Sequence, residues 1–363
     1  MLERLSQRID ATFLIVILLI MSISIITLYS SVNSAQSYKA DLYRKQMLWF
    51  VVGTALMILT LLVDYHLLSA FSYIIYGASI VALIFTLIFG KHISGSKSWI
   101  TLGPFNIQSS ELCKVSVILL LATFLNAKRG EKLGFFNVLG IVAIVGIPLC
   151  LILLQPDLGT ALTYLPIAFV SMFLSGIRFR TLLTLFLIMI VMAPVVWLNL
   201  KDYQRERIFT ILDPSRDPSG SGYQLIQSKI AIGSGMLFGK GLFSNTQSRL
   251  DFLPAQHTDF ILSVFGEVAG FAGISFAILL YAILFNRMID TARVARDRLG
   301  LFISIGVLSM IAFQAFINMG MVVGLLPTIG IPLPLLSYGG SSVVSTMMAL
   351  GLVMNVRMNR FAN

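Results

Sequence analysis

The chain has 363 residues, of which 57% are hydrophobic and 12% charged, and its formal net charge is +10. Soluble globular domains carry about 25% charged residues, so this composition excludes that class. The basic balance is that of a membrane protein with cationic loops, and nothing in it points to nucleic acid.

At about 20 apolar residues per crossing, ten segments read as spans: roughly 12–31, 47–63, 68–90, 111–126, 136–154, 158–175, 181–200, 260–286, 300–324 and 337–355. The first is longer than a signal-peptide core of about 7–15 residues. Arg4 and Arg8 precede it, as in an uncleaved anchor with its N-terminus inside. Cys113 and Cys150 fall within spans and read as small buried apolar residues, with no disulfide. The fifth and sixth spans are separated only by Gln155, Pro156 and Asp157, a tight helical hairpin. An N-inside model places 13 Lys and Arg residues on the cytoplasmic side against five in the short outer loops, the bias that sets orientation. The expected fold is therefore an all-α integral membrane protein, a single polytopic domain over residues 1–363. It has about ten transmembrane helices and cytoplasmic termini.

Between the seventh and eighth spans, residues 201–258 form a polar segment holding seven of the 26 Lys and Arg residues. The orientation places it outside the cytoplasm. Loops beyond about 12–15 residues are usually functional or disordered. This one is rich in Gly, Gln and aromatic residues, so it reads as a working surface. Its cations serve either lipid headgroups or an anionic ligand.

Ionisable groups at membrane depth are costly and mark candidate sites. Glu111 and Lys114 lie three residues apart on one helical face. They form either a self-neutralising pair or a carboxylate beside a phosphate-binding amine. The stretch 98–110 before them reads as an interfacial loop. Asp157 follows Pro156 at a helix start and fits a cap. Asp259 and Glu267 are eight residues apart at the start of the eighth span, with roles in proton transfer or ion pairing. Residues 318–342 interrupt an apolar run with three prolines and several glycines, a pattern tolerated at depth when buried or lining a cavity. There the amides of Tyr338, Gly339 and Gly340 open the last helix in a position suited to an anion. His66, His92 and His257 have no metal-ligand spacing.

Taken together, the blocks Lys97 to Gly103, Gln108 to Lys114, Gln155 to Ala161, Gly222 to Gln224, Ile230 to Gly235, Gly239 to Gly241, Phe252 to Ile261, Gly324 to Pro327 and Ser337 to Ser342 resemble the SEDS family (shape, elongation, division and sporulation). The resemblance runs along essentially the whole chain. Gly330 to Pro334, the Gln256–His257 pair and the short termini lean toward its elongation branch. Ser109, Met236, Asn245 and Val268 depart from the usual family residues, and Val268 leaves Glu267 without a neighbouring acid.

The resemblance implies a peptidoglycan glycosyltransferase of the bacterial cytoplasmic membrane that polymerises lipid II on the outer face during cell elongation and shape maintenance. In that chemistry an acceptor hydroxyl needs a base and a departing pyrophosphate needs positive charge. Carried onto this sequence, Asp259 is the catalytic base. Lys114, Arg205, Arg207, Lys229, Lys240 and Arg249 are candidates for the pyrophosphate, with Gln224, His257, Ser337 and Tyr338 as further substrate contacts. Glu111, Asp157 and Glu267 are supporting residues. No resident cofactor or metal is implied, although a divalent cation could assist the pyrophosphate. Expected partners are the undecaprenyl-linked strand, a class B penicillin-binding protein and elongation-complex membrane proteins. A lipid II flippase is the rival activity, and a scaffold that activates a transpeptidase is a third reading that needs no base at all.

Overall fold

The computed structural model describes residues 10–31, 37–93, 96–102, 105–128, 134–177, 213–217, 220–242 and 252–361, with scattered positions between 180 and 210. The expected seventh span lies largely outside the described residues, and Arg249 lies wholly outside them. Twelve helices are described: α1 (Ala11–Ser30), α2 (Ser37–Leu62), α3 (Tyr65–Ala70), α4 (Ser72–Phe89), α5 (Ser109–Ala127), α6 (Phe135–Leu154), α7 (Leu158–Leu162), α8 (Tyr164–Leu174), α9 (Ser221–Ser234), α10 (Ile261–Arg293), α11 (Arg298–Val322) and α12 (Gly340–Met358). Among the described residues, eight helices are long and apolar enough to cross a membrane. They coincide with eight of the ten expected spans. The expected sixth span is the shorter apolar stretch Leu158–Leu174, broken into α7 and α8 at Thr163.

The apolar window of α12 is 78% buried and that of α5 72%, against 17% for α4, so α5 and α12 stand at the centre and α4 at the rim. Side chains such as Val51, Ile74 and Phe89 point outward from the peripheral helices, as a lipid-facing surface requires. Cys113 is buried in α5, but Cys150 is exposed on α6, contrary to the expectation that both are buried.

Backbone ends are closed by side chains, because unpaired amides and carbonyls are expensive where water is scarce. Asp10 caps α1 through the Phe13 amide at 3.2 Å. The same carboxylate pairs with Arg287 at 2.8 Å and Arg357 at 3.2 Å, which ties α1, α10 and α12 together at one end. Buried Asn355 donates to the carbonyls of Thr60, Leu61 and Val63 and so closes the C-terminal end of α2.

Helix α10 has 33 residues, about 50 Å at 1.5 Å per residue, and it is broken at Gly270, where φ is 67°. That conformation suits a residue without Cβ. The freed backbone groups are taken up by residues 236–241. Phe271 and Ala272 donate to the carbonyls of Met236 and Leu237, and the Lys240 and Gly241 amides donate to Glu267 and Val268. The expected polar loop 201–258 thus contains a helix, α9. It docks on the bundle through Gly222, Leu225, Ser228 and Ala231, and the Ser228 hydroxyl lies 2.8 Å from that of Ser263 and donates to the Val322 carbonyl at 2.7 Å.

The stretch expected as an interfacial loop is a β meander. Strands β1 (Lys91–Ile93), β2 (Ser96–Leu102) and β3 (Phe105–Gln108) pair antiparallel in that order. The pairing places Trp99 opposite Gln108 and Ile100 opposite Ile107. Ser341, at the start of α12, pins the meander by accepting from the Gln108 amide at 2.9 Å.

Candidate active site

The β meander, the α6–α7 turn, the residues leading into α10, the 323–339 segment and the first turn of α12 enclose a cavity of about 530 Å³. Glu111, Asp157 and Asp259 line it, together with Arg207, Gln108, Thr160, Thr258 and Tyr338. Arg207 is the one Lys or Arg on this lining among the described residues. Among the described residues, three carboxylates and one guanidinium stand where a cluster of cations was expected.

The three carboxylates differ in what they have left to offer. Glu111, 3% exposed, accepts from the Lys114 amine at 2.8 Å on one oxygen and from the Ser345 hydroxyl at 3.0 Å on the other. Asp157 caps α7 by accepting from the Thr160 amide at 3.1 Å. Its second oxygen accepts from Gln108 at 2.7 Å and from the Thr160 hydroxyl at 2.9 Å. In both groups each oxygen accepts from at least one protein donor. Asp259 is half-buried, with its carboxylate in the cavity wall beside the Thr258 hydroxyl and in the field of Arg207. Burial pushes its carboxyl above the usual range, and the Thr258 hydrogen bond and the Arg207 charge pull against that rise. Burial raises the Asp157 carboxyl as well.

The backbone around Asp259 is held from the opposite wall. The Tyr338 amide donates to the His257 carbonyl at 2.8 Å, and the Ser337 hydroxyl donates to the Thr258 carbonyl. Ser337 also accepts from the Leu333 amide at 2.8 Å. Gly330, with φ 78°, lies against Asp259, where a Cβ would sit 3.4 Å from Oδ2. Arg207 donates to the Thr328 carbonyl at 3.1 Å, which ties the 205–207 turn to the same wall.

Several expected substrate contacts take other places. Lys114 is 1% exposed and is paired with Glu111 beneath the cavity floor, so its amine does not face the lining. Lys240 pairs with fully buried Glu267 at 3.0 Å beside the α10 break. That pair gives Glu267 the cationic partner its sequence surroundings called for. Lys229 is exposed on α9 and extends over Gly324, and Arg205 donates to the Leu198 carbonyl at 2.8 Å. Gln224 lies on α9 away from the lining, and His257 turns its ring toward Ser31, with Nδ1 3.5 Å from the hydroxyl. Ser337 is 3% exposed and pins backbone rather than facing the cavity. The Tyr338 and Gly339 amides, expected to be open to an anion, are engaged by His257 and by Gln46 at 3.4 Å. The Tyr338 side chain does line the cavity. Gln108, Thr160 and Asn318 were not singled out from the sequence. A lone Asn in an apolar span was the available signal for the last of these.

Fold and site together define a multi-pass helical membrane protein with a carboxylate-lined cavity at one end of its bundle. The FtsW/RodA/SpoVE family of cell cycle proteins matches residues 9–361, and the chain belongs to that family. It is 34% identical over 355 residues to the peptidoglycan glycosyltransferase MrdB of Escherichia coli K12, covering 97% of this chain and 94% of that protein. Among solved structures it resembles a chain from a peptidoglycan synthase complex that coordinates polymerization and crosslinking, with TM-score 0.81, 31% identity and coverage of 98% and 99%. It also resembles the rod shape determining protein RodA of Thermus thermophilus, with TM-score 0.74, 28% identity and 98% of each chain covered.

Proposed function

We propose that this chain is a peptidoglycan glycosyltransferase that polymerises lipid II into β-1,4-linked glycan, with Asp259 as general base. The carrying observation is a contrast among the three carboxylates on the cavity: Glu111 is held in an ion pair with Lys114 and Asp157 caps α7, whereas Asp259 lies in the cavity wall beside the Thr258 hydroxyl and in the field of Arg207. A base needs a lone pair within reach of the proton it takes. In the reaction the acceptor 4-hydroxyl passes its proton to Asp259 while its oxygen bonds to the anomeric carbon. The bond to undecaprenyl pyrophosphate breaks with its electron pair, and the configuration inverts. Asp157 serves as the cap of α7. In vitro polymerisation of labelled lipid II by the purified chain tests the activity itself, and absence of product with an intact fold would overturn it.

Arg207 is placed to meet the leaving pyrophosphate, since a guanidinium offers two parallel N–H groups to a phosphate. Arg207→Ala is expected to slow polymerisation by roughly 10- to 100-fold, the worth of one charged hydrogen bond of about 1.5–3 kcal/mol. The melting temperature should stay within a few degrees of the parent. Parental rates would reduce Arg207 to a tether for Thr328. A divalent cation that assists the pyrophosphate would enter with that substrate in this reading.

The cavity end of the bundle faces outward in this reading, with the 287–299 segment cytoplasmic, in the bacterial inner membrane. Single cysteines at the exposed positions Glu206 and Arg296, in a background lacking Cys113 and Cys150, test it with an impermeant maleimide on intact cells. Labelling at Glu206→Cys alone is expected, and the reverse pattern would invert the topology. A class B penicillin-binding protein is the proposed partner, supported by the likeness to a chain of a synthase complex.

A further inference from the structure

The residues leading into α10 owe their shape to the wall across from them, and one side chain contacts both. Asn318, fully buried on α11, donates from its carboxamide nitrogen to the Asp259 carbonyl and to the Ile331 carbonyl, each at 2.8 Å. Ile331 adjoins Gly330, which lies against the Asp259 carboxylate. A single nitrogen therefore joins Asp259 itself to the opposite cavity wall, alongside the Ser337 and Tyr338 bonds to Thr258 and His257. Two carbonyl neighbours fix the amide orientation, because only the NH₂ side can serve them. Asn and Gln are the neutral side chains with two N–H groups on one nitrogen. The Asn318 oxygen is buried with no hydrogen-bond partner. An unsatisfied buried acceptor is a cost, and the two donated bonds are the compensation for it.

We propose that Asn318 is a positioning residue of the transfer reaction, holding Asp259 at the distance and angle at which its carboxylate meets the acceptor hydroxyl. The proposal rests on the reading of Asp259 as base. Asn318 touches neither substrate nor carboxylate. It acts through the backbone of Asp259 and through the Gly330–Ile331 wall.

Two variants of the full-length purified protein test it, assayed with labelled lipid II. Asn318→Leu removes both donated bonds and leaves the Asp259 and Ile331 carbonyls without that donor, so its melting temperature should fall, and its kinetics are read on the folded fraction. A small misplacement of a catalytic group costs on the order of 10²-fold. We expect kcat to fall by about that factor with KM within about threefold, the split that marks an effect on the transition state alone. Asn318→Asp adds a signature that a purely structural role would not produce. Parental activity rises with pH as Asp259 ionises. An aspartic acid at 318 can donate one hydrogen bond while protonated, but once ionised it turns an anionic oxygen on two carbonyls. Its activity relative to the parent should therefore fall as pH rises. The other charged groups on the cavity, Arg207, Glu111 and Asp157, are the same in both proteins, so they cancel in that ratio. A Leu variant within about threefold of parental kcat overturns the proposal, as does an Asp variant whose pH profile follows the parent. Where the Leu variant does not fold, the Asp profile decides. An inactive Asp259→Asn protein beside fully active Asn318 variants would sink the positioning role and leave the base assignment standing. An active Asp259→Asn protein would sink the base itself.

Discussion

Asp259→Asn is expected to abolish lipid II polymerisation while leaving membrane insertion, melting temperature and partner binding unchanged. Asparagine keeps the size of the side chain and can still meet the Thr258 hydroxyl, but it cannot accept the proton. General bases contribute about 10²–10⁴ in rate, so a purified variant retaining more than about a tenth of parental rate would remove Asp259 from that role. The scaffold reading, which needs no base, predicts that the same variant works normally. A pH profile supplies an independent check. Burial holds the Asp259 carboxyl above the ordinary range, and a base works only when ionised. The acid limb of kcat/KM should therefore lie at higher pH than an exposed aspartate would give. The positive charge of Arg207 opposes that rise. In the residual activity of Arg207→Ala the limb should consequently move to still higher pH, and a shift to lower pH would contradict the assignment.

The parts of this protein legible in the sequence were those set by local composition or by motif. Runs of about 20 apolar residues mark spans because lipid admits little else, and eight of them appear as single long helices. The cap at Asp157 was readable from its place after Pro156. What stayed hidden depends on partners distant in the chain. Lys240 meets Glu267 across 27 residues, at a break in α10 that a span reading passes over as one more glycine. The cations of the 201–258 segment, read together as a leaving-group site, are sorted by the fold: Arg207 goes to the cavity, Lys240 to an ion pair and Lys229 to the surface of α9. The meander at 91–108 was obscured by its short strands, although Ser98, Ile100 and Leu102 alternate with Trp99 and Thr101 in the period of a strand. Asn318 stands at the head of the interrupted stretch 318–342, and its role lies in two carbonyls that only the fold brings to it.

Lys114→Met is expected to be the most destabilising single change among the charged residues in and around the cavity, and its double variant identifies the reason. The Lys114 amine and the Glu111 carboxylate are 1% and 4% exposed at 2.8 Å, and Ser345 on α12 completes the carboxylate's shell. Removing one partner of such a pair leaves the other charge buried and uncompensated, which costs on the order of 3–5 kcal/mol. Both Lys114→Met and Glu111→Gln should therefore lower the melting temperature and the yield of folded protein. The combined Glu111→Gln/Lys114→Met variant carries neither charge and should recover most of that loss, since replacing a buried ion pair by neutral groups is often close to neutral. Activity then separates the two roles of Lys114. An amine that serves the fold is dispensable once its partner is neutral, so the double variant should polymerise lipid II within about tenfold of the parent. An amine that binds the pyrophosphate is lost equally in both backgrounds. A double variant with parental melting temperature but activity reduced by more than about 10²-fold would return Lys114 to the substrate. It would also require the cavity floor to open during the reaction, because the amine is enclosed beneath it.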